Sequence, residues 1–212
     1  MERKKYEFTG ETIKHDGHVL NRIRALIDFD GVKKGDIGGW IESEHNLSHH
    51  GNSWVYDDAK VFGLARVFYD AKVYHRAKIY GQADVGGHAK VYGYAEVCDD
   101  ATIHGNSCIY ECCYVGASAR IFGKAVVGGS MCLTRNASVG SMDDFTMVQG
   151  FGSAHRPTYF FRCADGKARV RCGCFYGTIP EFEKKVRKTH GFSKTAKEYL
   201  KIAKLMELHF KR

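Results

Sequence analysis

The 212-residue sequence predicts an all-β repeat fold with a β-rich N-terminal cap and a small basic ββαα module at its C-terminal end. Three observations carry that prediction. One aliphatic residue returns at every sixth position from Val55 to Val139 without a gap. A small side chain stands two residues before it in every hexad except the one with Met131, and Gly often stands two residues after it, as at Gly63, Gly81, Gly87, Gly93, Gly105, Gly123 and Gly129. Behind the repeat, Thr178-Ile-Pro-Glu181 opens an apolar-periodic stretch in the manner of a helix start.

The elements follow in order. Residues 1–50 break the hexad and form the cap: a strand at Tyr6 to Thr9, an Asp16-Gly17 turn, a second strand from Val19 to Ile27, and a turn-rich passage through Gly31 to Trp40. Residues 51–147 carry the repeat. A period of six fits neither a helix at 3.6 nor a plain alternating strand, but it does fit two-residue alternation interrupted by a regular corner. The unit is therefore a very short strand and a turn. Gly suits the turn because a backbone that bends so often needs positive φ.

The pattern Val-x-Gly-x-Ala-x resembles the hexapeptide repeat of left-handed parallel β-helix proteins. The resemblance implies three hexads per coil and a triangular prism of five coils, roughly 24 Å long at the strand spacing of a sheet. Open ends of such a prism need caps to stay soluble and unpolymerised. The Gly38-Gly39-Trp40 turn that leads into the first coil is similar to the entry segment of YdcK-like bacterial hexapeptide-repeat proteins. That likeness covers about residues 20–140 and brings no assigned activity with it.

Beyond the repeat, residues 148–177 read as a hairpin: Tyr159 to Cys163 and Ala168 to Phe175 flank Asp165-Gly166. Residues 178–212 read as a basic helical hairpin. The first helix ends near His190 at Gly191, and the second is capped by Ser193 with Tyr199, Ala203, Met206 and Phe210 on one stripe. This tail resembles C-terminal segments of uncharacterised phage and prophage proteins.

Composition excludes other classes. With 13 Phe, 12 Tyr and a net charge of +8, the chain is not globally disordered. No stretch approaches the roughly 18 apolar residues of a spanning helix, and no apolar region follows the charged N-terminus. A cytoplasmic location (the host cytoplasm for a phage product) with eight reduced cysteines is expected.

Candidate chemistry is sparse. With an 18-residue coil, Tyr56, Tyr74, Tyr92 and Tyr110 stack on one face as four exposed aromatics. Three explanations stand: packing between copies in a homotrimer, a platform for bases or sugars, and cross-coil stabilisation. His75, His88 and His104 sit at corner or outward positions that do not converge, and the hexads hold no inserted loop to shape an acyl-CoA cleft. His45, His49 and His50 read as a polar loop. Cys163, Cys172 and Cys174 lie on the two arms of the hairpin, close enough for a thiolate zinc site with His155, yet alternation favours Cys172 and Cys174 as small residues facing the core. No metal or other cofactor is assigned. The last feature is charge: Lys184, Lys185, Arg187, Lys188, Lys194, Lys197, Lys201, Lys204, Lys211 and Arg212 oppose four glutamates. Lys60, Arg66, Lys72, Lys78 and Lys90 add a second basic set on the coils.

These features lead to a homotrimeric, non-enzymatic scaffold that presents its basic C-terminal modules to a host protein or nucleoprotein, with nucleic acid as a further anionic partner. A phage origin would make an antiviral nucleoprotein such as a CRISPR complex a target. Two rivals remain. One is an acyl-CoA-dependent transferase with its site between subunits; the other is a nucleotide sponge binding at subunit boundaries.

Overall fold

A computed structural model describes residues 4–152 and 155–211; Met1 to Arg3, from the charged N-terminus, and Arg212, from the basic tail, lie outside them. The chain divides into two compact units, 1–135 and 136–212.

The first unit opens with a hairpin, β1 (Tyr6–His15) and β2 (His18–Ala25), turned at Asp16-Gly17 where both residues have positive φ. β1 runs past the expected Thr9 because a register shift between Phe8 and Thr12 accommodates Gly10 without ending the ladder. β3 (Ile37–Ile41) pairs antiparallel with β2, and its Trp40 and Ile41 also pair parallel with Lys60 and Val61. From there two-residue strands recur every six residues, from β4 (Trp54–Val55) to β17 (Cys132–Leu133). Each pairs in parallel with the strand 18 residues away, so the coils stack into a β-solenoid with three parallel sheets. Among the described residues one sheet holds six parallel rungs, at Ile41, Val61, Ile79, Val97, Val115 and Leu133. That makes about six turns instead of five. The extra turn comes from the segment before Val55, where Trp40, Ile41 and Leu47 already stack on the coil above although they stand outside the hexad register.

The aliphatic residues from Val55 to Leu133 are fully buried, and so are the alanines beside them. Inward space is therefore one branched and one small side chain per strand. The corners explain the Gly pattern. Every corner residue two places after the aliphatic one, from Asp57 to Arg135, has positive φ whether or not it is Gly. Acidic corners gain a compensating bond: Asp57, Asp99 and Glu111 accept from the backbone N–H of His75, Ala117 and Gly129, each 18 residues on, at 2.9, 2.8 and 2.6 Å.

Polar side chains satisfy the first coil. Lys5 is buried, and its Nζ donates to the carbonyl and hydroxyl of Ser53 at 2.8 and 3.2 Å. Tyr6 donates to the Leu47 carbonyl at 2.8 Å, and Asn46 Nδ2 to those of Ala65 and Gly63 at 2.8 and 3.0 Å. Such bonds occupy buried carbonyls that would otherwise be costly.

The second unit contains β18 (Ser138–Val139) and a four-stranded antiparallel sheet of β19 (Phe145–Val148), β20 (Thr158–Arg162), β21 (Ala168–Cys172) and β22 (Phe175–Thr178). Two helices follow, α1 (Ile179–His190) and α2 (Lys194–His209). The expected ββαα module is thus enlarged. Phe145 to Val148 adds a strand, and the arm from Ala168 breaks at Gly173, whose positive φ turns the chain back on itself. Thr178, Gly191 and Ser193 cap the helices as anticipated. The stripe of Tyr199, Ala203, Met206 and Phe210 packs with Phe160, Val170, Phe182 and Val186 in one core.

Candidate interaction surfaces

The tyrosine ladder forms as two pairs. Tyr56 and Tyr74 stack with centroids 4.5 Å apart, and Tyr92 and Tyr110 at 5.5 Å. His75 links the pairs, its ring 6.4 Å from Tyr74 and 6.3 Å from Tyr92. All four tyrosines are half-buried, not exposed as expected, because each ring lies on the next coil. Tyr110 ends the row by lying over Gly128, where an added Cβ would collide with its ring. Burial, with a bond to Cys108, pushes the Tyr92 hydroxyl up to about 12. Similar stacking joins Phe62 to Tyr80 at 5.2 Å and His104 to Phe122 at 5.8 Å. Cross-coil stacking thus uses much of the ring surface.

Beside Tyr74 lies a cleft of about 400 Å³ that also involves Asp30, Asn52, Asp70, Lys72, His88 and Lys90. One wall comes from the turn-rich segment after β2, because Asp30 reaches over the coils to Lys72 at 2.5 Å. The Lys72 ammonium, by hydrogen bond and charge, holds the Asp30 carboxyl below the ordinary aspartate range. His88 Nδ1 stands 3.5 Å from Asp70 Oδ2, while Asp70 Oδ1 accepts from Asn52 Nδ2 at 2.8 Å. The hexads hold no inserted loop, but a loop from outside them still shapes a cleft. Sequence spacing could not show it, since Asp30 and Lys72 are 42 residues apart.

The coil cations are largely paired. Arg66 makes two bonds to Asp84 at 2.8 and 2.7 Å, Lys78 meets Glu96 at 2.9 Å, and Lys72 meets Asp30. Lys60 donates to the Asp58 carbonyl, and Lys90 is exposed at the cleft. The carboxylates of Asp84 and Glu96 stand one coil away, at i+18, a spacing that the sequence displays but that carries meaning only with the coil length, whereas Asp30 comes from the loop. Local pairing thus neutralises Arg66, Lys72 and Lys78 within the second basic set, and leaves Lys90 exposed in it.

The helices differ. Lys184, Lys185, Arg187 and Lys188 on α1 and Lys194, Lys197, Lys201 and Lys204 on α2 are all exposed. Among the described residues the ion pair formed by this set is Lys194 with Glu198, at 3.8 Å. Packing of the apolar stripe turns these cations outward.

The remaining candidates are dispersed. His49 stacks on Tyr6 at 4.3 Å and accepts from the Lys5 backbone N–H, whereas His45 and His50 are exposed. Cys163 is buried beside Tyr176 at 3.6 Å, Cys172 lies 3.3 Å from Thr158 Oγ1, and Cys174 is exposed. His155 is exposed on a positive-φ residue. Among the described residues no group of three His, Cys, Asp or Glu side chains is arranged to hold a metal ion. Among the described residues no helix is long and apolar enough to cross a membrane.

Fold and surface together define a β-solenoid protein joined to a small basic α+β module. No family model matches the chain. It is similar to the uncharacterized acetyltransferase YdcK of Escherichia coli (strain K12), with 46% identity over 48 residues. The match takes in 22% of this chain and 15% of that protein's length.

Proposed function

We propose that the protein is a non-enzymatic scaffold whose basic helical module engages an anionic face of a host macromolecule in the cytoplasm. In this reading the solenoid is a left-handed β-helix of hexapeptide repeats, it assembles as a homotrimer, and a phage or prophage encodes it. One observation carries the functional part. Arg66, Lys72 and Lys78 on the solenoid are spent on carboxylates of neighbouring coils and of the cap, whereas the helices hold eight exposed cations of which, among the described residues, Lys194 is ion-paired, with Glu198. Unpartnered charge on a rigid surface is what steers and binds a polyanion.

The test compares capture from host extract by the full chain and by a variant carrying Lys184→Glu, Lys185→Glu, Arg187→Glu and Lys188→Glu, read by mass spectrometry and RNA sequencing. Partners held by the unaltered chain should elute as salt rises from about 0.1 to 0.5 M and should be lost by the variant. Identical capture by both would sink the proposal.

A second reading, acetyl transfer, is favoured by the His88–Asp70 pair in the cleft and by the name of the YdcK relative. A carboxylate that orients an imidazole is a common device for a general base. It predicts stabilisation by acetyl-CoA and loss of turnover in His88→Ala; neither effect should occur if the scaffold reading is right.

A further inference from the structure

The second unit contains a cavity of about 220 Å³ between the β21–β22 turn and the two helices. Its walls are mostly apolar, with Thr189 and His190 among them. Phe182 meets Tyr199 edge-on at 5.5 Å and 82°, Phe175 lies 5.5 Å from Phe182, and Val186 completes the floor. Tyr199 is itself held by Cys172, whose Sγ lies 3.8 Å from the hydroxyl. Two cations, Arg156 and Lys185, stand at the rim and both are exposed. Lys184 and Lys188 flank Lys185 on the same exposed turns of α1.

A rigid apolar cavity of ~150 Å³ is large enough to take up benzene. This one therefore admits a single aromatic side chain. Phe182 meets Tyr199 edge to face and Phe175 is tilted 49° to Phe182, so the rings form the sides of a socket instead of the flat platform on which a nucleobase stacks. The charge around it is cationic, so a segment entering the socket is favoured when its flanks are acidic.

We propose that this socket is the specificity element of the basic module, taking one aromatic side chain from an acidic protein segment while Lys185 and Arg156 engage the flanking carboxylates. The inference rests on the reading of the helices as the partner-facing surface and adds the chemistry of the partner. An aromatic anchor buried in a preformed pocket, ringed by charge, is the usual make-up of an interface hot spot.

The experiment is fluorescence anisotropy with the full chain at low salt. The probes are a labelled Asp/Glu peptide with a central Trp, the same peptide with Ala in its place, and a single-stranded DNA of matching charge. The Trp peptide should bind about tenfold more tightly than the Ala peptide, as expected for burying a large apolar side chain. Thr189 is exposed at the mouth, so Thr189→Trp should block the socket without disturbing the core. It should abolish the Trp preference and leave Ala-peptide binding unchanged, whereas Lys185→Glu should weaken both peptides. Equal binding of the two peptides, or a preference that survives Thr189→Trp, would overturn the socket while leaving the basic surface standing. Failure of all three probes to bind would overturn both.

Discussion

Replacing Ile103 by Ala tests the inward register of the solenoid most directly. Ile103 is fully buried in the middle of its sheet, between Val85 and Ile121 on the neighbouring coils. Loss of three carbons from such a site costs about 2–5 kcal/mol, depending on how far the surroundings close in. Here they cannot close far. Four backbone bonds hold the coil to its neighbours on both sides: Asp84 N to Ala101 O, Gly86 N to Ile103 O, Thr102 N to Ala119 O and His104 N to Ile121 O, all at 2.8–2.9 Å. The cavity should stay open and the cost should fall near about 4 kcal/mol, lowering Tm by about 12 °C for a unit of this size. Both tryptophans, Trp40 and Trp54, are buried in the first unit, so tryptophan fluorescence follows its unfolding selectively. The control is Thr102→Ala, one residue earlier and pointing outward, which should change stability by about 0.5 kcal/mol or less. Equal effects at the two positions, or a loss at Ile103 below about 1 kcal/mol, would refute the assignment of the aliphatic row to the interior.

Other outcomes follow from single residues. Burial pushes the Lys5 ammonium down to about 8, against the opposing pull of Asp70. Between that value and the unfolded value near 10.5 the unfolded chain holds the extra proton, so stability should rise with pH through this window; unfolding curves at about pH 7.5 and 9.5 should show the gain, and Lys5→Met should remove it. An added Cβ on Gly39 would come within 2.6 Å of the Ala59 carbonyl oxygen and of Val55 Cγ1, so Gly39→Ala should destabilise by about 2–3 kcal/mol in denaturant titration. At Gly128 the obstacle is the far end of the Tyr110 ring, which can swing away. Gly128→Ala should therefore cost about 1 kcal/mol or less while reducing the near-ultraviolet circular dichroism of the Tyr92–Tyr110 stack.

Much of the solenoid was legible because the repeat is its own register. A fully buried aliphatic residue at every sixth position leaves one arrangement of inward and outward side chains, and Val55, Ile79 and Ile121 obey it alike. The extra turn at Trp40 and Leu47 was not legible, since those residues enter the stack through a segment with no hexad. The C-terminal strands are only partly legible in the sequence for a related reason. Phe145 to Val148 is too short to announce itself, and its pairing with Thr158 to Phe161 depends on partners beyond its own neighbourhood. The helix caps at Thr178 and Ser193 were readable because capping is a contact between residues three apart.

The site divides along the same line. Sequence alone established the row of tyrosines, the cations on the two helices and the small-and-branched core, because each is set by local periodicity. Only the tertiary structure decided which charges remain available. Pairing depends on distance in space: it joins Arg66 to Asp84 across one coil and Lys72 to Asp30 across a loop, and it leaves Lys184, Lys185, Arg187 and Lys188 facing solvent. The same holds for the aromatic socket, whose walls come from a hairpin turn and two helices that meet only because their apolar faces must be buried together.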